Sequence, residues 1–152
     1  MQEVSVIIPN FNGMAYLDGV LAGLECQSAN NFEVILVDNG SSDGSCAFVA
    51  ARYPWVHLIE LPENFGFCKA VNEGIKASRA PYVLLLNNDI EVTENFIEEM
   101  IFAIKRHPKA FSCAARMIQF HDRDKLDDAG NYYCALGWAY ARGKGKDIHI
   151  YE

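Results

Sequence analysis

Short β-branched runs alternate with amphipathic stripes over the first two-thirds of the chain. Val4-Ser5-Val6-Ile7-Ile8, stopped by Pro9, predicts a buried strand. Over residues 13–26, Leu17, Val20, Leu21 and Leu24 recur at i, i+3, i+4 and i+7, which puts them on one helix face. A second strand is predicted over 32–37. It runs into Asp38-Asn39-Gly40-Ser41-Ser42-Asp43-Gly44, a stretch of turn formers in which Ser42 or Asp43 is placed to cap a helix over 44–52. A third strand falls around 56–60, and Phe67, Ala70, Val71, Gly74 and Ile75 then give a helical stripe. Residues 81–86 are almost wholly apolar, the pattern of a strand covered on both faces. Thr93 is placed to cap a helix whose core face is Phe96, Ile97, Met100, Ile101 and Ile104, closed by Pro108.

Four β–α units in succession predict an α/β fold, a mostly parallel sheet with helices on both faces. After residue 109 the rhythm breaks. Residues 110–118 suggest another strand, 119–130 a polar loop and 132–140 an aromatic-rich segment, before the basic turn Arg142-Gly143-Lys144-Gly145-Lys146. The expected organisation is therefore an α/β region over 1–108 and the start of something different over 109–152.

At 152 residues one domain is expected, and 51% hydrophobic with 22% charged residues is a globular balance rather than a disordered one. The net charge of −7 argues against a nucleic-acid partner, which needs clustered Lys and Arg. A polyanionic ligand would have to be met by a local device such as backbone amides or a metal ion. Five widely spaced cysteines without a C-x-x-C pair suit neither a disulfide framework nor a zinc site, and point to a reducing compartment. With no signal peptide at the N-terminus and no apolar stretch of the ~18–20 residues a span needs, the expected location is cytoplasmic, or at the inner face of the membrane.

Ligands of open parallel sheets bind beyond the C-terminal ends of the strands. Here those ends read Pro9-Asn10-Phe11-Asn12, Asp38-Asn39, Asn64-Phe65-Gly66 and Asn87-Asn88-Asp89. Each carries Asn or Asp, more polar convergence than turn chemistry alone asks for. P-loop and dinucleotide motifs are absent, and a phosphorylation-receiver domain would need an acidic pair where Pro9-Asn10 stands.

The segments VSVIIPNFNG, ILVDNGSSDGS, ENFGFCKAVNEGI and YVLLLNNDIEV, in that order over about residues 4–100, resemble the family 2 inverting glycosyltransferases, with the rhamnosyltransferase-like branch the nearest in flavour. Asp127-Asp128-Ala129-Gly130 gives a weaker echo. The resemblance implies a GT-A fold, a nucleoside-diphosphate sugar as donor (UDP- or dTDP-linked), Mg2+ or Mn2+, and a saccharide or lipid-linked acceptor in cell-surface polysaccharide synthesis. It places Pro9 and Asn10 beneath the nucleoside and the Asp38 carboxylate where it accepts the imide N–H of uracil or thymine, with Asn39 among the substrate-binding residues. Asn64 and Gly66 match the family's N-x-G, Lys69 is placed to reach the diphosphate or to lie solvated on its helix, and Asn72 falls on the family pattern, either near the donor or capping the helix packing. The family's D-x-D motif reads Asn87-Asn88-Asp89 here, so Asp89 is the expected metal ligand, Asn87 and Asn88 are expected among the substrate-binding residues, Asn87 through its neutral oxygen, and Glu91 stands two residues on. The literal Asp122-Arg123-Asp124 lies in a polar loop and is read as a decoy. His57, His107, His121 and His149 lack metal-ligand spacing.

An inverting transfer also needs a carboxylate base on the acceptor side. Asp127 and Asp128 are the weak candidates, and the terminal Glu152 is poorly placed for rigid catalysis. The expectation is a donor-binding half whose base lies beyond residue 152. Its aromatic segment would then pack on a missing half or on another copy. A non-catalytic nucleotide-sugar-binding module and a signalling domain on a similar scaffold are the alternatives.

Overall fold

The computed structural model describes residues 2–151. They form two compact units, Met1–Glu99 and Met100–Glu152.

The first unit is built on four parallel strands, β1 (Val4–Asn10), β2 (Phe32–Asp38), β3 (His57–Glu60) and β4 (Tyr82–Leu85), in the order β3-β2-β1-β4. The connecting helices are α1 (Met14–Glu25), α2 (Ser45–Arg52) and α3 (Phe67–Ala77), and α4 (Phe96–Arg106) runs across the division between the units. The α/β class predicted by the alternation is the class observed. The central strands β1 and β2 are buried along most of their length, and Leu17, Val20, Leu21 and Leu24 of α1 are buried as the stripe requires.

Pro9 does not stop the first strand; it lies inside it. Residues 8 and 10 turn their backbone groups toward β2, where Asn39 N–H donates to the Asn10 carbonyl. Residues 7 and 9 face β4, whose pairing ends at Ile7↔Leu85. The missing N–H of Pro9 therefore falls past the last paired residue and costs the ladder little.

The apolar run 81–86 does not mark a strand covered on both faces. β4 is an edge strand, and Val83 and Leu85 on one face are 42% and 52% exposed. Phe67 and Ile75 are likewise exposed, so the buried stripe of α3 is Ala70, Val71 and Gly74. Of the predicted core face of α4, Ile97 alone is fully buried. The Ser42/Asp43 cap is realised indirectly. Gly44, at φ +91°, precedes α2, and the Asp43 carboxylate takes the Ser45 N–H (3.0 Å).

Two glycines in helices have opposite surroundings. A Cβ at Gly74 would lie 2.4 Å from Ile7 Cγ2, so α3 packs directly on β1, whereas a Cβ at Gly19 would meet nothing within 4 Å. Helix propensity favours Ala over Gly by ~1 kcal/mol at either site. Overpacking at position 74 costs about 1–3 kcal/mol. Chemical denaturation should show Gly19→Ala more stable by ~0.5–1 kcal/mol and Gly74→Ala less stable by up to ~2 kcal/mol.

The second unit carries two small antiparallel pairs, β5 (Met117–Ile118) with β6 (Leu126–Asp128) and β7 (Asn131–Tyr133) with β8 (Ala139–Ala141), followed by a short 3-10 turn over Ile148–Tyr151. The strand expected over 110–118 is reduced to its last two residues, and the predicted loop 119–130 contains β6. Apolar content without alternation gave no register to read. The β7–β8 hairpin stacks Tyr132 against Tyr140 (ring centroids 5.4 Å apart) and exposes Tyr133, Leu136 and Trp138. Gly143 and Gly145, both at φ +74°, make the turn predicted over 142–146. Among the described residues no helix is long and apolar enough to cross a membrane.

Candidate functional site

The chain runs outward from β1 through β2 to β3, then returns to the far side of β1 for β4. The strand order thus reverses between β1 and β4, the place where parallel sheets open a crevice at their C-terminal ends. Loops from all four strands meet along this rim.

Asn10, 2% exposed, is the hub. Its Nδ2 donates to Asp38 Oδ1 (2.8 Å) and to Ser41 Oγ (3.3 Å), and its Oδ1 accepts from Asn88 Nδ2 (2.7 Å). Next along, Asn12 takes a left-handed backbone (φ 49°), donates its N–H to Ser41 Oγ (2.8 Å) and accepts the Ser42 N–H on Oδ1 (2.9 Å). The Met14 N–H donates to Asp43 Oδ2 (2.8 Å), and Asp43 Oδ1 also takes the Ser45 hydroxyl. The loop after β2 is thereby stitched to the loop after β1. Ser41, Asn12 and Asp43 were not among the predicted site residues; the signal for Ser41 and Asp43 was the density of turn formers after β2, and for Asn12 its place in the polar end of the first strand.

Asp38 is also 2% exposed, and the Ser41 N–H occupies its second oxygen (2.8 Å). Burial works to raise its pKa, but hydrogen bonds from the Ser41 hydroxyl and N–H, Asn10 and Cys46 outweigh it and hold the carboxyl below its ordinary value of 3.8. The Cys46 thiol is pushed the other way, to about 12, by burial and by the Asp38 and Glu60 carboxylates. With its pKa raised so far, the thiol stays protonated at neutral pH and donates to Asp38.

Asn39 links the second rim loop to the third. Its Nδ2 donates to Asn64 Oδ1 (2.9 Å), its Oδ1 accepts the Phe65 N–H (3.0 Å), and Asn64 Oδ1 also accepts the Gly66 N–H (2.8 Å). Gly40, at φ +76°, lets these loops touch, since a Cβ there would lie 2.6 Å from Glu63 Cα. Gly66 serves differently. Its φ of 87° and ψ of 162° form a backbone open essentially to glycine alone, and it leads into α3.

Lys69 is half exposed and pairs with Glu73 (2.7 Å), which Lys76 also reaches (2.9 Å). Those two hydrogen bonds hold Glu73 at about 2. Asn72 is exposed on the same helix. At the end of β4, Asn87 and Asp89 are exposed and Asn88 is half-buried. Pro9, half-buried, ends up directly before the hub.

In the second unit, Asp127 lies 3.2 Å from Lys144 Nζ, and Asp128 Oδ1 accepts the Gly130 N–H (2.7 Å). Asp122 of the literal D-x-D pairs with Lys125 (2.6 Å), whose hydrogen bond draws it below its ordinary value. Glu152 lies outside the described residues. Among the described residues no group of three or more His, Cys, Asp and Glu is arranged to hold a metal. Asp89 with the neutral oxygen of Asn87 is a sparse donor set. It fits a hard cation held jointly with a diphosphate, since Mg2+ takes only one or two protein carboxylates at such sites. It does not fit a cage made by protein alone.

The mostly parallel sheet with its helices is an α/β fold that matches GT-A glycosyltransferase structures. The chain matches the family model Glycosyl transferase family 2 over residues 5–149, and it belongs to that family. Among curated relatives it is 27% identical over 128 residues to TuaG of Bacillus subtilis strain 168, a putative teichuronic acid biosynthesis glycosyltransferase, covering 82% of this chain and 50% of TuaG. It is 29% identical over 133 residues to the glycosyltransferase GlyG of Streptococcus pneumoniae serotype 4, covering 86% and 39%. The chain thus spans half or less of the length of these relatives. Its structure superposes on residues 1–349 of S. aureus TarS in complex with UDP at a TM-score of 0.64, with 26% identity over 70% of this chain and 33% of that one. It also superposes on the mannosyltransferase PcManGT of Pyrobaculum calidifontis in complex with GDP-Man and Mn2+, at a TM-score of 0.55, with 26% identity over 59% and 28%.

Proposed function

We propose that the rim at the ends of β1, β2, β3 and β4 binds a nucleoside-diphosphate sugar together with Mg2+ or Mn2+. In the whole protein it would serve transfer of the sugar, with inversion, to a saccharide or lipid-linked saccharide in cell-surface polysaccharide synthesis. The observation that carries this reading is the hydrogen-bonded set Asn10, Asp38, Asn39, Asn64 and Asn88, which joins all four strand ends at the switch point of a family 2 domain. TarS with UDP and PcManGT with GDP-Man and Mn2+ support the ligand class. TuaG supports a cell-surface product. The motif order favours the rhamnosyltransferase-like branch, and the five free thiols favour a cytoplasmic site or the inner face of the membrane.

In this reading Asp38 and Asn39 shape the base side of the crevice, and Pro9 and Asn10 floor it. Asn64 and Gly66 set the backbone that passes the ribose, while Lys69 and Asn72 face the donor from α3. Asp89, with Asn87, would hold the cation, which neutralises the diphosphate as it leaves. Lys69 reaches a diphosphate by exchanging Glu73 for it, a small cost for an exposed pair. Asp127 and Asp128 are the acids this chain offers as a base, and both start from existing partners.

Calorimetric titration of UDP, dTDP, GDP and ADP, each with and without Mn2+, tests the proposal. Uridine or thymidine diphosphate should bind roughly tenfold tighter than the purine nucleotides, the worth of one hydrogen bond to a charged group, and Mn2+ should tighten each. Absence of binding by any of the four would remove the donor-site reading.

A further inference from the structure

We propose that Asn10 is a positioning residue which, through Asn88, ties the base-side loop after β2 to the turn that presents Asp89; the inference rests on the donor-site reading above. The hydrogen bond from Asn88 Nδ2 to Asn10 Oδ1 (2.7 Å) crosses the switch point between β1 and β4, where the sheet ladder between them has ended at Ile7↔Leu85 and Leu86 N–H to Ile7 carbonyl. Beyond that point this side-chain bridge does the work the ladder no longer does. An Asn amide has a donor end and an acceptor end. Asn10 spends its donor end on Asp38 and Ser41, which leaves its oxygen to be met by a donor, and Asn88 supplies one. The orientation of each amide therefore depends on the other.

A second observation points the same way. Gly13, buried at the start of α1, has an ordinary φ of −103°, so its backbone does not demand glycine. Its surroundings do: a Cβ there would lie 2.1 Å from Asn88 Nδ2 and 2.3 Å from Asn10 Oδ1. The absent methyl is the space the bridge occupies. Because both obstructed atoms are side-chain ends, alanine at 13 would displace the bridge and leave the main chain in place.

In consequence the loop that faces the base and the turn that faces the diphosphate move as one piece. Nucleotide seated on the first then finds Asp89 already placed for the cation. The middle residue of Asn87-Asn88-Asp89 acts by anchoring, not by contact with the cation.

Amide hydrogen exchange on the ligand-free chain reads the linkage directly. Asn88→Ala should speed exchange at the Ser41 and Ser42 N–H groups, on the far side of Asn10, by about three- to tenfold, the loss expected of one hydrogen bond. A change confined to residues 86–90 overturns the proposal. Titration of UDP with and without Mn2+ gives the second readout, the factor by which Mn2+ tightens binding. Asn88→Ala and Gly13→Ala should each lower that factor about three- to tenfold, and the double variant should lower it no further than Gly13→Ala alone, because both break one bridge and alanine at 13 also presses on Asn10 Oδ1. Multiplying effects in the double variant would mean that Asn88 touches the ligand itself, and would overturn the assignment. Failure of the unmodified chain to bind any nucleoside diphosphate would fell the donor-site reading instead, while the ligand-free exchange result still decides the linkage.

Discussion

Asp89→Ala is expected to bring the affinity for UDP in Mn2+ down to its metal-free value. Asp89 is the one carboxylate in the Asn87-Asn88-Asp89 turn, and it is exposed at the end of β4. Two unit charges at about 4 Å attract by ~1 kcal/mol in water and ~4 kcal/mol at the effective dielectric of a protein surface. An exposed carboxylate beside a divalent ion lies between those limits, so a roughly 10- to 100-fold loss is expected. Asn87→Asp restores the second carboxylate and should tighten Mn2+ binding. Titrations of both variants at fixed ionic strength, since surface electrostatics are screened by salt, check the two signs together. Unchanged Mn2+ enhancement in Asp89→Ala would take the cation away from this turn.

The first unit was legible because its signals were redundant. The β1 and β2 runs are β-branched, the α1 stripe repeats for two turns, and Asn, Asp, Gly and Ser cluster between them, so period, propensity and turn chemistry agree. Where one signal stood alone the reading failed. The run 81–86 looks like a strand buried on both faces, but apolar content does not say which neighbours a strand has, and β4 is at the edge. Pro9 read as a stop because the direction of its missing N–H depends on where β4 ends, a tertiary fact. The polar segments that follow the four strands do lie at the C-terminal ends of the sheet, where the alternation put them. What the sequence could not show was that their amides bond one another: Asn10, Asp38 and Asn88 are far apart in the chain, and no local pattern orients an amide toward a partner it meets only after the sheet forms. In the second unit, two- and three-residue strands are too short for alternation to be seen at all.

Asp38 separates two roles that the sequence joins. Its carboxylate is expected to accept the imide N–H of a pyrimidine, yet in the folded chain it is nearly sealed and already accepts from Asn10 and Ser41. A carboxylate offers about four lone-pair directions, and Asn10, the Ser41 N–H and hydroxyl and the Cys46 thiol already address them, so a pyrimidine N–H is met only by displacing one of these donors. Asp38→Asn keeps the shape but points an NH2 at donors that now meet a carboxylate oxygen. A buried group left facing another donor costs about 1–3 kcal/mol, and denaturation should show a loss in that range. The same variant should flatten the preference for UDP over GDP; a stability loss with the preference intact would assign Asp38 to the loop alone. Acid dependence gives a further check. The folded pKa of Asp38 lies below 3.8, so its stabilising contribution is fully present above about pH 4 and is lost as pH falls through the depressed folded value. Other carboxylates, Asp43 among them, are lowered too, so the informative curve is the stability of the unmodified chain minus that of Asp38→Asn. That difference should be flat from neutral pH to about pH 4 and shrink steadily below it; a difference that stays constant down to pH 2 would mean that Asp38 has the same pKa folded and unfolded, and one that grows as pH falls from neutral to 4 would mean that its folded pKa is raised.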